Sequence, residues 1–296
     1  MKQYEYSGED SKSDIIRDCI SALGEFVGTT FFVFMGISSV NSAFHSMQTE
    51  NVDNIAFLKD VTNSTVINPG YATGASPASQ LQIAFGFGVG LMCMVWAFYR
   101  ISGGHLNPAV TLGLFCSGAV PIVKAVLYII AQICGGMLGA LFAKILFPKP
   151  HDGVTRGANG IPDGRSVTAG FFLELILTFL LVFVVHMLAL EVNNARNVAP
   201  FVIGAIVFVG HLIAIPITGT SMNPARSFGA SVVANQWDDH WVFWIAPLVG
   251  GILASICYRI FNYFNIKALN GSQDHTTAME YGNNPMAINS TESLPH

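Results

Sequence analysis

The sequence predicts an all-α membrane protein with six transmembrane helices and two short re-entrant half-helices. Of its 296 residues, 52% are hydrophobic and only 11% are charged, whereas charged residues make up about a quarter of a typical soluble domain. Six apolar stretches are long enough to cross a hydrocarbon core of about 30 Å. The tripeptide Asn-Pro-Ala occurs twice inside apolar sequence, at 107–109 and 223–225.

Each predicted span is an apolar segment of transmembrane length between polar connections. The spans cover residues 20–44, 79–99, 121–147, 168–190, 198–217 and 241–264. A long polar connection, about 45–78, is expected after the first span.

The two shorter apolar stretches, 107–116 and 223–234, are too short to cross a bilayer. Each begins with an Asn-Pro-Ala copy, Asn107-Pro108-Ala109 or Asn223-Pro224-Ala225. Asn is a preferred helix N-cap and Pro is a preferred first helical residue. The two copies therefore predict half-helices that begin inside the membrane.

An internal repeat relates the two halves of the chain. Glu25 and Thr29 match Glu174 and Thr178 as an ExxxT pattern near the start of an apolar span. Each half then holds three spans and one half-helix. An odd number of spans per half makes the halves inverted, and inverted repeats place a site at the membrane midplane.

The repeat and the polar ends define the expected domain organisation. We expect a membrane domain at residues 18–267, with repeats at about 18–147 and 168–264. A cytoplasmic N-terminal tail (1–17) and a disordered cytoplasmic C-terminal tail (268–296) flank it. Regulation of the inner mouth by the N-terminal tail is the alternative to a plain disordered tail, which is favoured.

Charge distribution favours cytoplasmic termini. In that orientation eight Lys and Arg residues lie inside and five outside, in keeping with the positive-inside rule. The sequon Asn63-Ser64-Thr65 then lies outside, where glycosylation is feasible. The net charge of −4 gives no indication of nucleic-acid binding. The acidic start is unlike a cleaved signal peptide, so the first span is expected to be retained.

Asn107 and Asn223 are the first candidates for function. If each side-chain oxygen caps its half-helix, the amide NH₂ remains free to point into a lumen at the midplane. Two such donors would orient a small passing molecule such as water. The competing interpretation is a pair of ordinary capped helix starts.

Ionisable residues within apolar sequence are the next candidates. Arg226 lies in a re-entrant segment, where a charge normally faces a wet cavity, and His211 lies in the middle of the fifth span. The alternative is an arginine that snorkels to the interface. Glu25 and Glu174 are interpreted as structural acids that accept hydrogen bonds from irregular backbone, with a proton relay as the alternative.

The sequence lacks the motifs of common enzyme sites. It contains no phosphate-binding loop, nucleophile elbow or carboxylate cluster for metals, and the five cysteines show no CxxC spacing. We therefore expect no catalytic residues, no cofactor and no metal site.

The segments SGGHLNPAVT (102–111) and GTSMNPARS (219–227) resemble the paired signatures of the aquaporins, or major intrinsic proteins. The resemblance covers about residues 20–264. It implies a right-handed helical bundle, a homotetramer with one pore per protomer, and contact with membrane lipid. Exclusion of protons and ions by an arginine and by half-helix dipoles is a general property of aquaporins, and the resemblance carries it over.

The resemblance also implies a filter on the outer side of the pore. By motif spacing, its four positions are Phe87, His211, Thr220 and Arg226. The combination of Phe, His and Arg is similar to the filter of water-selective members. Backbone carbonyls before each half-helix are expected to line the pore, at Gly103, Gly104 and His105 and at Gly219, Thr220 and Ser221.

Departures from other members sharpen the expected selectivity. Glycerol-conducting members tend to carry Asp after the filter arginine, where this chain has Ser227. Ala230 and the pair Phe243-Trp244 also fit the water-selective pattern. Several animal members carry Cys at the position of Thr220, so we expect weak inhibition by mercurials here.

The leading hypothesis is therefore a passive water channel, with the plasma membrane as the expected location. A wider pore for glycerol, hydrogen peroxide or another small neutral solute is the close alternative. A secondary transporter also fits an inverted repeat with broken helices, but its coupling-ion site would require carboxylates at the midplane, where this chain has Asn. A junctional protein that keeps the fold and conducts poorly is the third alternative.

Overall fold

The computed structural model describes residues 11–62, 76–147, 157–191 and 194–264, and all regular structure in these ranges is helical. The long helices are α1 (Ser11–Thr62), α2 (Pro77–Phe98), α4 (Ile122–Leu146), α5 (Val167–Val185), α6 (Ala199–Thr218) and α8 (Val242–Tyr263). The short ones are α3 (Pro108–Cys116) and α7 (Pro224–Ala234). A π-helical turn (His186–Leu190) follows α5, and a 3₁₀ turn (Asn194–Val198) precedes α6.

The six long helices confirm the predicted fold class. Across the described ranges, each of the six contains a stretch that is long and apolar enough to cross a membrane. Large apolar side chains on their outer faces are exposed, among them Leu81, Phe85, Ile130, Phe172 and Ile256. Exposed apolar surface of this extent is unusual in a soluble monomer, and in an integral membrane protein it faces lipid.

The first helix differs most from its predicted bounds. The prediction ended the span at residue 44 and placed a polar connection from 45 onwards, whereas α1 remains helical to Thr62. Between Gly36 and Pro69 the sequence contains neither glycine nor proline, the residues that most disfavour a helix. Polar side chains end the membrane span there without ending the helix. The predicted sequon at Asn63 lies outside the described residues, as do residues 1–10 and 265–296 of the expected tails.

Local capping chemistry sets several other helix ends. The Ser76 and Ser166 hydroxyls accept hydrogen bonds of 3.2 Å from backbone amides in the first turns of α2 and α5. Helix α6 ends at Gly219, whose φ of 72° lies in the left-handed region that glycine adopts without steric cost. The other five predicted spans agree with the observed helices to within a few residues.

The two halves pack around their half-helices in an inverted arrangement. Helix α1 packs on α2 and α4, and its counterpart α5 packs on α6 and α8, while α2 and α6 join the halves. Half-helix α3 packs on α8, and half-helix α7 packs on α4. Each half-helix therefore docks against the last span of the opposite half.

Two glycines permit this docking. A Cβ atom at Gly136 of α4 would lie 2.3 Å from the carbonyl oxygen of Ala225. At Gly251 of α8, it would lie 2.6 Å from the carbonyl oxygen of Ala109. Both distances are well below van der Waals contact, so only glycine lets the half-helix backbones approach this closely.

Candidate functional site

The two half-helices meet at their N-termini, and the asparagine of each Asn-Pro-Ala copy caps its own helix. Asn107 Oδ1 accepts from the amide of Ala109 at 2.9 Å. Asn223 Oδ1 accepts from the amides of Ala225 at 2.9 Å and Arg226 at 3.3 Å. Pro108 and Pro224 occupy the first helical positions, where the missing N–H has no cost.

Each asparagine amide also bonds across to the opposite half. Asn107 Nδ2 donates to the carbonyl of Met222, and Asn223 Nδ2 donates to the carbonyl of Leu106, both at 2.8 Å. The prediction that the NH₂ group of each asparagine is free was therefore wrong for one of the two hydrogens of each group. The second hydrogen of each amide is the remaining donor. The reciprocal bonds fix the two half-helix starts relative to each other.

Glu25 and Glu174 hold the backbone that leads into each half-helix. Glu25 accepts from the amides of His105 at 3.0 Å and Leu106 at 2.6 Å. Glu174 accepts from the amides of Ser221 at 2.9 Å and Met222 at 2.8 Å. Both side chains are fully buried.

Two hydroxyls and one amide complete these carboxylate sites. Ser102 Oγ and Thr218 Oγ1 occupy matching positions of the repeat, and each donates to its own carboxylate at 2.6 Å. Gln132 Nε2 adds a bond of 2.8 Å to Glu25. Because several donors converge on each acid, the carboxylates satisfy backbone groups that have no helical partner inside the membrane.

The residues before each half-helix adopt left-handed backbone conformations. Gly103 and Gly104 have φ values of 97° and 63°, and the matching Gly219 and Thr220 have values of 72° and 59°. Non-glycine residues rarely adopt this region, and such strain concentrates at functional sites.

Three of the four predicted filter residues are in contact in the structure. The rings of Phe87 and His211 stack with centroids 4.3 Å apart and an interplanar angle of 20°. The guanidinium carbon of Arg226 lies 4.7 Å from the centroid of the Phe87 ring, a cation–π distance. Thr220 lies in the loop that follows α6, and all four side chains are buried.

Arg226 is held by the connection that precedes α5. Its Nη1 donates to the carbonyl of Gly157 and, at 2.7 Å, to Oδ1 of Asn159. Its Nη2 lies 3.4 Å from the carbonyl of Gly219. With only 2% of its surface exposed, the side chain does not snorkel to an interface. Its charge is instead compensated by oriented dipoles inside the protein.

Asn159 was not among the residues selected from the sequence. Its Oδ1 also accepts from Ser227 Oγ at 2.7 Å, and its Nδ2 donates to the carbonyl of Thr218 at 3.2 Å. The side chain is 1% exposed. Asn159 lies in a polar connection without a motif, and its contact with Arg226 joins residues 67 positions apart. Spacing in the sequence gave no signal for it.

Three polar atoms of the filter have no hydrogen-bond partner among the described residues. They are His211 Nε2, Thr220 Oγ1 and Arg226 Nε. His211 Nδ1 lies 2.8 Å from the carbonyl of Val207. Because a carbonyl only accepts, Nδ1 carries the hydrogen, and Nε2 of a neutral ring is an acceptor. These three atoms comprise one donor (Arg226 Nε), one acceptor (His211 Nε2) and a hydroxyl that can do both (Thr220 Oγ1).

Two separate cavities border the loops that lead into the half-helices. One, of about 520 Å³, includes Gly103, Gly104, His105 and Asn107 in its lining. The other, of about 750 Å³, includes Gly157, Gly219 and Arg226. Neither lining includes Phe87 or His211. Asn107 and Arg226 therefore each border a cavity, but not the same one.

His240 is a titratable group outside the spans, in the connection between α7 and α8. Its Nε2 accepts from Trp244 Nε1 at 3.0 Å, and its Nδ1 lies 3.1 Å from Ser231 Oγ. Partial burial lowers the pKa of its imidazole. The ring therefore favours the neutral form that can accept from Trp244.

Two half-helices that meet inside a domain of six apolar helices define the class of membrane protein. The family model for Major intrinsic protein matches residues 10–258, and the chain belongs to this family. It is accordingly a multi-pass membrane protein of the aquaporin family.

Relatives from fungi and plants agree. The chain is 40% identical to aquaporin-5 of Botryotinia fuckeliana over 257 residues, covering 86% of this chain and 44% of that protein. It is 37% identical to aquaporin-1 of Gibberella zeae over 287 residues, covering 96% and 83%. It is 39% identical to aquaporin PIP2-7 of Arabidopsis thaliana over 246 residues, covering 80% and 88%. The chain spans 42% to 52% of the length of three of the fungal relatives.

A solved structure supports the same fold. The X-ray structure of the aquaglyceroporin from Plasmodium falciparum aligns with a TM-score of 0.63 at 22% identity, covering 82% of this chain and 95% of that one. At this identity the likeness concerns the fold and leaves the transported solute to be argued from the filter.

Proposed function

We propose that this protein is a passive water channel that excludes ions, protons and larger neutral solutes. The observation that carries the proposal is the filter, where the Phe87 and His211 rings stack at 4.3 Å beside a fixed Arg226. Two rings and a guanidinium in contact leave little cross-section. A molecule wider than water would have to separate them.

The polar atoms of the filter suit water. His211 Nε2 accepts, while Arg226 Nε donates and Thr220 Oγ1 does both. A water molecule that sheds its neighbours on entry regains hydrogen bonds from these atoms. A carbon-rich solute of similar width would leave them without partners, which costs free energy in a buried site.

Exclusion of cations follows from the fixed charges along the path. Arg226 is permanently charged and is held in place by Gly157 and Asn159. The N-termini of α3 and α7 carry positive partial charge and meet at the centre of the path. A cation therefore meets unfavourable potential at both points, in addition to the cost of losing its hydration shell.

We propose that Asn107 and Asn223 orient the passing water at the centre. Each amide retains one donor hydrogen after its bond to the opposite half. A water whose oxygen accepts from both amides points its hydrogens away from them. It then cannot accept another hydrogen bond along the file, which interrupts proton transfer between neighbouring waters.

The buried acids are proposed to be structural. Glu25 and Glu174 accept hydrogen bonds from backbone amides, hydroxyls and, at Glu25, Gln132. Among the residues that we propose line the pore, they hold His105 and Ser221 directly. The proposed lining residues are Gly103, Gly104, His105, Gly219 and Ser221.

We further propose the setting of the channel. The termini are cytoplasmic and the filter faces outside, in keeping with the charge distribution of the connections. Family resemblance supports a homotetramer with one pore per protomer, in the plasma membrane. The channel domain covers residues 18–267, between tails at 1–17 and 268–296.

Purified protein in liposomes tests the proposed function. In stopped-flow measurements, an impermeant osmolyte should cause fast shrinkage relative to empty liposomes. A glycerol gradient should cause shrinkage without the subsequent reswelling that glycerol entry produces. Reswelling at a rate comparable with water flow would identify a wider neutral-solute pore. A flux that saturates or depends on an ion gradient would identify a transporter.

A further inference from the structure

The ring of Phe87 packs against a residue that has no side chain. A Cβ atom at Gly36 in α1 would lie 2.2 Å from Cε1, 2.4 Å from Cδ1 and 2.7 Å from Cζ of this ring. Carbon atoms in contact are about 3.5–4.0 Å apart. The Phe87 ring therefore occupies the space that any side chain at position 36 would need.

Three further side chains contact the Phe87 ring. One face stacks on His211 at 4.3 Å, and the guanidinium carbon of Arg226 lies 4.7 Å from its centroid. Phe32 of α1 contacts it edge-on, with centroids 6.0 Å apart. Because a methyl group at position 36 would overlap the ring, the ring must shift relative to His211 and Arg226, its partners in the filter.

Other demands on α1 do not explain this glycine. Glycine is disfavoured inside helices relative to alanine. Where α1 and α2 approach at Gly90, an added Cβ would meet Met35 at 3.4 Å, which is ordinary contact. Close approach of these helices therefore does not require glycine everywhere, and the need at Gly36 comes from the aromatic ring.

We infer that Gly36 is a positioning residue for selectivity: it seats the Phe87 ring and thereby sets the free cross-section of the filter. The inference rests on the proposed function, in which Phe87 borders the water path. It adds to that function a residue on a different helix that does not itself contact the permeating molecule.

The test uses full-length protein reconstituted in liposomes, with the number of inserted channels measured for each variant. Gly36→Ala should lower water permeability per channel roughly tenfold, or about 1.4 kcal/mol on the barrier. Gly90→Ala is the matched control, because it adds the same methyl group to the same helix pair with ordinary contacts. Its permeability per channel should equal that of the parent.

A double variant separates an effect on the filter geometry from an effect on folding. Phe87→Leu removes the ring, so adding Gly36→Ala in that background should leave permeability per channel unchanged. A further drop in the Phe87→Leu background would overturn the inference, as would an unchanged permeability per channel in Gly36→Ala alone. If Gly36→Ala does not insert, the comparison within the Phe87→Leu background decides on its own.

The parent protein keeps the two proposals distinguishable. If it passes glycerol as fast as water, the proposed water selectivity fails. The effect of Gly36→Ala is then measured on glycerol flux, where the same roughly tenfold loss is expected. A parent protein that reconstitutes fully but passes neither solute would overturn both proposals.

Discussion

Removing the side chain of Asn159 should loosen the filter. Asn159 Oδ1 accepts from Arg226 Nη1 and from Ser227 Oγ, both at 2.7 Å, and the residue is 1% exposed. A hydrogen bond to a charged group contributes about 1.5–3 kcal/mol, and a neutral one about 1 kcal/mol. Asn159→Ala should therefore destabilise the fold by about 3 kcal/mol.

The effect on transport follows from the bonds that remain. In Asn159→Ala, Arg226 retains the carbonyls of Gly157 and Gly219, but its Nη1 loses one of two acceptors. The guanidinium then samples positions away from the Phe87 ring and the filter widens part of the time. Glycerol permeability should rise and the ratio of water to glycerol permeability should fall, as measured by stopped-flow light scattering of liposomes.

Ser227→Ala is the matched control. It removes the hydroxyl that bonds to Asn159 and Ser221 but leaves the Asn159–Arg226 bond intact. Stability should fall by about 1–2 kcal/mol, without a change in the permeability ratio. An unchanged ratio in correctly inserted Asn159→Ala would refute the idea that Asn159 fixes Arg226 for selectivity.

Three further predictions concern other parts of the channel. The double variant His211→Ala with Arg226→Val should admit glycerol or urea, because it removes one stacked ring and the fixed charge; unchanged exclusion in the inserted protein would contradict the proposed filter. Mercurials should inhibit water permeability of the parent only weakly, whereas Thr220→Cys should create an inhibition that a thiol reductant reverses, because we propose that Thr220 borders the path. A strong inhibition of the parent that is lost on replacing Thr220 would contradict this. Because the pKa of His240 is lowered in the folded protein, the unfolded chain binds a proton at this residue more readily, so the free energy of unfolding should be highest above about pH 6.5 and decrease as the pH falls below it. Thermal unfolding of the detergent-solubilised protein should show a smaller loss of stability at acid pH in His240→Gln than in the parent. An equal loss in both would exclude His240 as the source.

The fold was largely predictable because its signals are local. Span length, apolar composition and the Asn-Pro caps depend on neighbouring residues, and they placed α3 and α7 to within a residue or two. The end of α1 was missed for a related reason. Polarity marks where a helix leaves the membrane, whereas its termination needs a breaker, and the sequence offers none before Pro69.

The support of the filter could not be predicted in the same way. Asn159 reaches Arg226 across 67 positions, and Gly36 is recognisable only once the Phe87 ring is placed against it. The cross-bonds of Asn107 and Asn223 likewise needed the two halves to be docked. These contacts depend on tertiary packing, to which the spacing of residue types along one chain is insensitive.

The inverted repeat is kept in the residues that support the backbone and is broken at the proposed filter. Asn107 and Asn223 are 116 residues apart, and the same offset pairs Leu106 with Met222. At that offset Arg226 corresponds to Val110, so the filter charge occurs in one half only. A second buried arginine would need its own set of acceptors, because an uncompensated buried charge costs several kcal/mol.

This asymmetry has a limited consequence for transport. In a passive pore the net flux follows the gradient, so a filter at one end cannot favour either direction. We expect access to the filter from the cavity that Arg226 lines, because the other cavity includes none of Arg226, Thr220 and the stacked Phe87 and His211 rings. A blocker too wide to pass those rings should therefore reach Thr220→Cys from the Arg226 side alone, and equal block from both sides would show that the rings part readily.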